Sequence, residues 1–239
     1  MIDYAKFATF YDEIMGDRSS DIGLIRDYIV RFMPTATSLL ELGSGTGALL
    51  AGLADQVTVT GVDRSPEMLS IAAKKLPDAT LVQADITKFS LGTRFDVVIC
   101  MFDTLNHIAS FDGWLEVFER AHEHLVEGGL FIFDVNTIGR LRALGRQHPY
   151  VQDFGEHLLI MNITPAGGDV WLWETKIYES LGEDLFRLHH EKILELGVPL
   201  ERVRSALEMN FDPLDEADQD SGPVSDESDR IYFAWRHRG

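Results

Sequence analysis

Glu41-Leu42-Gly43-Ser44-Gly45-Thr46-Gly47 decides the reading of this sequence, because of what stands on either side of it. Thr37 to Leu42 is a short apolar run of the kind that forms a buried strand, and Ala48 to Ala54 reads as a helix. Three glycines in a strand-to-helix turn permit positive φ and let a ligand approach the main chain without striking a Cβ. Twenty residues beyond Gly43, Asp63 closes a second apolar run, Val57 to Val62. A carboxylate at that strand end can accept hydrogen bonds from both hydroxyls of a ribose. The turn and the acid together predict an adenosine-containing cofactor at the carboxyl edge of a sheet. They do not choose which one, since Gly43, Gly45 and Ala48 also satisfy the looser dinucleotide fingerprint, in which a helix N-terminus holds a pyrophosphate.

Outward from this stretch the pattern is regular. Asp21 to Phe32 has apolar residues at helical spacing and stops at Met33-Pro34. Ser65-Pro66-Glu67 supplies an N-cap, a first-turn proline and a first-turn acid for a helix running to about Lys75. Thr80 to Ala84 and Phe95 to Met101 read as a third and a fourth strand. Ser110 to Leu125 reads as a helix with Leu115, Phe118, Ala121, His122 and Leu125 near one face. Gly128-Gly129 is expected to break the chain before a fifth strand, Leu130 to Val135. Strands alternating with helices predict an α/β fold with a parallel sheet. After Asn136 the pattern becomes antiparallel: Leu158 to Ile163, Val170 to Tyr178 and Leu185 to Leu194, with Pro165-Ala166-Gly167-Gly168-Asp169 as one turn. A short helix, Pro199 to Glu208, precedes strands near Met209 to Phe211 and at Arg230 to Trp235 that could close a hairpin. Between those two strands, the acid-rich Asp212 to Asp229 is expected to be a long mobile loop.

Composition narrows the function. The chain carries 39 acidic against 21 basic side chains, a net charge of −18, which disfavours phosphate-backbone binding and hence nucleic acid. That field either serves solubility or attracts a cationic acceptor such as an amine. A single cysteine, Cys100, and an N-terminus without a basic start and apolar core give the expectation of a cytoplasmic protein away from membranes.

The motifs resemble those of class I methyltransferases that use S-adenosylmethionine, of the small-molecule branch, over nearly the whole chain. Glu41 to Gly47 resembles the first motif, which wraps the methionine part of the cofactor; Gly61-Val62-Asp63-Arg64-Ser65-Pro66-Glu67-Met68-Leu69 resembles the second, with Asp63 on the ribose. Gln83-Ala84-Asp85-Ile86 resembles the third, where Asp85 receives the adenine amino group. Phe95 to Cys100 and Glu127-Gly128-Gly129-Leu130 are similar to the fourth strand and to the turn before the fifth. The resemblance implies a Rossmann-like, doubly wound, mostly parallel seven-stranded sheet with a C-terminal antiparallel hairpin and a small antiparallel insertion after the fifth strand. It implies one domain over 1–239: lid helices in 1–33, a cofactor-binding half in 34–136, an insertion over the acceptor in about 150–196, and a closing helix and hairpin in 197–239. The cofactor-binding set it implies is Tyr11, Glu41, Gly43, Ser44, Gly45, Thr46, Gly47, Asp63, Arg64, Met68, Ala84, Asp85, Ile86, Met101, Phe102 and Asn106. Met68, Ile86 and Phe102 would enclose the adenine, and Tyr11, in the lid-like Tyr4 to Asp12, would meet the methionine carboxylate or the sulfonium.

Catalytic candidates follow the fourth strand. Asn106-His107 resembles the segment bordering the acceptor, and histidine titrates where a general base should. The competing reading has His107 capping or packing beneath the cofactor; Asp103 is a second candidate for holding or deprotonating an amine. Arg140, Arg142 and Arg146 could grip an acidic substrate group or form a solvated helix face, and Trp171 with Trp173 could line an acceptor pocket or pack the sheet. His189 and His190 point to opposite faces of a strand, and His122 and His124 lack ligand spacing, so no metal is expected. The expected reaction is methyl transfer to nitrogen or oxygen of a small-molecule acceptor, with a homodimer as a further expectation. Two other readings stay open: a non-catalytic S-adenosylmethionine-binding partner subunit, and an NAD(P)-dependent oxidoreductase.

Overall fold

A computed structural model describes residues 7–239, so Tyr4, Ala5 and Lys6 of the expected lid lie outside the described residues. The chain begins with α1 (Ala8–Met15) and α2 (Ser19–Phe32). It then alternates β1 (Ser38–Leu42), α3 (Ala48–Leu53), β2 (Thr58–Asp63), α4 (Pro66–Lys75), β3 (Thr80–Gln83), β4 (Phe95–Cys100), α5 (Phe111–His124) and β5 (Leu125–Asn136). Beyond lie α6 (Ile138–Leu144), four strands β6 (Tyr150–Phe154), β7 (His157–Gly167), β8 (Val170–Ser180) and β9 (Phe186–Leu196), then α7 (Leu200–Leu207), β10 (Phe211–Asp218) and β11 (Arg230–His237). Seven strands form one sheet in the order β10-β11-β5-β4-β1-β2-β3, and β6 to β9 form a separate antiparallel sheet. In the large sheet only β11 runs against its neighbours. The order reverses beside β1, and that switch point opens a crevice at the carboxyl ends of β1, β2 and β4.

Alternation along each strand sends side chains to two cores. Leu40, Leu42, Val98, Phe131 and Phe133 pack with Trp114, Val117 and Phe118 of α5 and Val203 and Leu207 of α7. Leu39, Val97, Ile99 and Ile132 pack with Ile25, Tyr28 and Ile29 of α2 and with Leu49, Leu50 and Leu53 of α3. Both faces are covered, which is why these strands read as unbroken apolar runs. Among the described residues no helix is long and apolar enough to cross a membrane.

Four expectations need correction. Gly128-Gly129 does not break the chain: β5 starts at Leu125, and the register slips between Phe95↔Leu125 and Val97↔Leu130. Gly128, at φ +74°, absorbs the extra residues as a bulge without ending the pairing. On α5 the buried stripe is Trp114, Val117, Phe118, Ala121 and His124, whereas Leu115 is 40% exposed. The expected face was rotated because Trp114, one residue earlier, sets its start. Asp212 to Asp229 is not one mobile loop, since Asp212 to Asp218 belong to β10. Its acids are satisfied by cations from outside the segment: Asp215 by Arg31, Glu216 by Arg204, Asp212 by Arg238. Asp226 pins the remainder, accepting from Gly139 N through its carbonyl and from Leu200 N through Oδ1, each at 2.8 Å. The turn expected over Pro165 to Asp169 narrows to Gly168-Asp169, because pairing continues to Gly167↔Val170.

The small sheet packs beside the start of α1 and brings Glu195 of β9 near His107. Its inner face presents Phe154, Leu159 and Ile177 to Phe7 and Phe10 at the start of α1. Asn106, fully buried, ties it to the large sheet: Nδ2 donates to Leu196 O and to Asn136 O, both at 2.9 Å, and Oδ1 accepts from Asn136 N at 3.0 Å. Leu196 N returns a bond to Asn106 O at 2.7 Å.

Candidate active site

The crevice is built by the glycine turn and the loop after β4. Gly43, Gly45 and Gly47 take φ of +75°, +50° and +72°. A Cβ on Gly43 would stand 2.5 Å from Thr104 Cγ2, so glycine is required there by space as well as by conformation. Opposite, Phe102 and Asp103 both adopt left-handed backbone, at φ 58° and 51°. Two such residues together cost on the order of 1–3 kcal/mol each. Thr104 Oγ1 to Met101 O at 2.8 Å and Asp103 N to Asp134 Oδ2 at 3.2 Å hold the turn in place.

A cleft results, lined by Tyr11, Gly43, Gly45, Asp63, Arg64, Met68, Ala84, Asp85, Ile86, Phe102, Thr104, His107 and Ile108. Ten of the sixteen expected cofactor residues are in that wall. Glu41, Ser44, Thr46 and Met101 line a smaller pocket that opens beside Tyr11 and the glycine turn. Gly47 lines neither; it caps α3. Asn106 lines neither, being buried in the inter-sheet clamp.

Asp63 is set at the end of β2 by two backbone donors, Gly45 N and Ser65 N, each at 2.8 Å. It therefore joins the glycine turn to the N-terminus of α4. Asp85 accepts from Thr87 N at 2.9 Å and Thr87 Oγ1 at 2.7 Å; burial opposes its ionisation, but these bonds prevail and hold it below the usual carboxylate range. Burial, reinforced by the charge of Asp103, pushes the Tyr11 phenol up, so it enters the cleft protonated.

The small pocket holds three buried polar atoms that have no partner among the described residues: Arg18 Nη2, Glu41 Oε2 and Ser44 Oγ. The Arg18 guanidinium lies 4.0 Å from the centre of the Phe102 ring. Burial pushes the Glu41 carboxyl well up, and the charge of Asp63 adds to it. Arg18 was not found from sequence, because a lone arginine between two helices has no periodic or motif signal.

At the other end of the cleft, His107 Nε2 faces two carboxylates, Asp103 Oδ2 at 3.4 Å and Glu195 Oε1 at 3.6 Å. Burial works against a charged ring there, but the two acids outweigh it and push His107 up to about 10. The same two acids favour the protonated ring, whose N–H then points to them as a donor. Asp103 is not a free base either: Arg230 Nη2 donates to its Oδ1 at 2.7 Å and keeps it ionised despite burial. Burial first, and then Asp103, push Glu195 up to about 7. Glu195 and Arg230 escaped the sequence reading because strands β9 and β11 bring them to the site from far along the chain.

Comparison with known proteins accords with this geometry. The sequence signature of a family described as a methyltransferase domain matches residues 39–129. A solved S-adenosylmethionine-dependent methyltransferase from Clostridium acetobutylicum superposes with TM-score 0.89 at 26% identity, covering 99% of each chain. Residues 39–129 thus match a methyltransferase domain, and over its length the chain is similar to a methyltransferase that uses S-adenosylmethionine. The dTDP-3-amino-3,6-dideoxy-alpha-D-glucopyranose N,N-dimethyltransferase of Streptomyces fradiae is 40% identical over 105 residues, 44% of this chain and 41% of that one. The match thus spans less than half of that curated relative's own length. A putative methyltransferase of Geobacillus sp. (strain WCH70) is 26% identical across 96% of this chain and 98% of its own length. The amino pentose methyltransferase CalS10 of Micromonospora echinaspora, solved with S-adenosylmethionine bound, shares the fold at 20% identity and TM-score 0.77, covering 97% of this chain and 96% of that one.

Proposed function

We propose that this chain transfers a methyl group from S-adenosylmethionine to a small polar acceptor, with the amino group of an amino sugar as the leading class. The observation that carries the cofactor reading is that two buried atoms of one pocket, Arg18 Nη2 and Glu41 Oε2, have no hydrogen-bond partner among the described residues. Buried charged groups ordinarily have partners. The α-amino acid end of S-adenosylmethionine offers a carboxylate to Arg18 and an ammonium to Glu41. From there Asp63 stands where the ribose would lie, and Asp85 with Met68, Ile86 and Phe102 would surround the adenine. NAD offers no zwitterion to that pocket, which disfavours the oxidoreductase reading.

The sulfonium is already activated, so the protein chiefly aligns acceptor, methyl carbon and sulfur in line and excludes water. Alignment of this kind can supply about 7–11 kcal/mol. The methyl passes to the acceptor's lone pair while the carbon–sulfur bond breaks, leaving S-adenosylhomocysteine and a proton to be lost from the new ammonium. An amine arriving unprotonated needs no protein base, in keeping with a His107 that already holds its proton. The names of the Streptomyces fradiae relative and its Streptomyces venezuelae counterpart support an amino-sugar nitrogen as acceptor.

A second copy of the chain is the proposed partner. The outer face of the small sheet carries Val151, Phe186, Leu188 and Leu194, between 38% and 57% exposed, on one side of paired strands. Light scattering reading a dimer that Leu188→Glu splits supports it, and a wild-type monomer removes it. For the reaction, methyl-labelled S-adenosylmethionine is incubated with amino sugars, their nucleotide conjugates and hydroxylated analogues. Label in an amino sugar is the expected result. Tight cofactor binding with no transfer to any of them would favour the non-catalytic partner subunit.

A further inference from the structure

We propose that Asp103, His107 and Glu195 form a site for one divalent first-row transition-metal cation, of which zinc fits best, in the wall of the cleft. The site is independent of which acceptor is methylated. Its three donor atoms, Asp103 Oδ2, His107 Nε2 and Glu195 Oε1, lie within 4.8 Å of one another, with the nitrogen 3.4 and 3.6 Å from the two oxygens. The nitrogen-to-oxygen separations leave room for an ion between the donors. They match the edge of about 3.4 Å between neighbouring ligands of a tetrahedral ion bound at about 2.0–2.2 Å.

What surrounds the donors is the second observation. Each carboxylate has its other oxygen held from behind: Arg230 Nη2 donates to Asp103 Oδ1 at 2.7 Å, and Asn136 Nδ2 donates to Glu195 Oε2 at 3.1 Å. Hydrogen bonds of this kind are how proteins aim carboxylates at an ion. Asn136 is itself fixed by the Asn106 clamp. A dication bound here would displace the proton that His107 otherwise holds and would offset the carboxylates of Asp103 and Glu195. One imidazole and two carboxylates suit zinc, cobalt, manganese or iron, and three protein ligands leave a coordination position for an oxygen of the acceptor. A bound ion would orient the acceptor through that oxygen.

Zinc and, separately, cobalt are titrated into the chelator-treated full chain by calorimetry and, for cobalt, visible absorption. The expected result is one ion per chain with the intense absorption of tetrahedral cobalt, and affinity at least about tenfold weaker in Glu195→Gln. Asn136→Ala, which touches no ion, is expected to weaken binding less. Binding of S-adenosylhomocysteine, measured on each variant, reports that the cleft is still folded. No ion bound by the wild type, or equal binding by Glu195→Gln with its cleft intact, would overturn the proposal and leave a proton shared between His107 and the two acids.

Discussion

Replacing Asn106 with alanine tests how the small sheet is fastened to the large one. The side chain is fully buried and makes three hydrogen bonds, to Asn136 O, Leu196 O and Asn136 N, at 2.9, 2.9 and 3.0 Å. Alanine leaves the Asn136 N–H without that partner and two carbonyls less satisfied. At about 1–3 kcal/mol for each buried group left unpaired, the loss is on the order of 3–5 kcal/mol. For a chain this long, each kcal/mol lowers Tm by about 2–4 °C, so a fall of about 10 °C is expected. Asn106→Asp should do no better at neutral pH, because it sets a carboxylate oxygen against two carbonyls. It should recover part of the loss in acid, where a protonated carboxyl donates to one of them. Urea denaturation followed by tryptophan fluorescence and far-ultraviolet dichroism gives the difference. A loss below about 1 kcal/mol for alanine would refute the clamp as the main tie between the two sheets.

Other outcomes follow from the same geometry. Gly43→Ala forces a Cβ to 2.5 Å from Thr104 Cγ2 at a φ of +75°, so S-adenosylhomocysteine affinity by calorimetry should drop at least about tenfold; unchanged affinity would displace Gly43 from the cleft wall. Arg18→Met should erase the preference of the wild type for S-adenosylhomocysteine over methylthioadenosine, which lacks the amino acid end, while methylthioadenosine itself binds as before. A preserved preference would assign the carboxylate to another residue. Asp96 is partly buried, which opposes ionisation, yet Thr37 N, Thr37 Oγ1, Ser38 N and Ser38 Oγ donate to its Oδ2 at 2.8–3.0 Å and hold it below the usual carboxylate range. A depressed folded pKa stabilises above the unfolded value and is lost as pH falls through the folded one. Asp96→Asn should therefore be the less stable protein at pH 7, the gap closing below about pH 4 in denaturation at stepped pH; a gap independent of pH would contradict that cause.

The parallel half of the fold was legible because its signals are local. Gly43 to Gly47 and Asp63 lie on consecutive elements, and Ser65, Pro66 and Glu67 mark the start of α4, where Ser65 Oγ does accept from Met68 N. The glycine pair at 128–129 misled because a bulge and a chain break use the same residue. The acid-rich segment misled because composition cannot show that Arg31, Arg204 and Arg238 arrive to pair with it. At the site, motif residues were found and their neighbours were not. For His107 the sequence left a base and a packing role open, and it could not show Glu195, which β9 brings beside it.

Calorimetric titration with S-adenosylhomocysteine and S-adenosylmethionine, with NAD in parallel, tests the central claim most directly. The account predicts one site of micromolar affinity for both sulfur compounds, lost in Asp63→Ala, whose carboxylate is bonded to Gly45 N and Ser65 N at the cleft. Failure of both to bind, above all with NAD bound in their place, would contradict it.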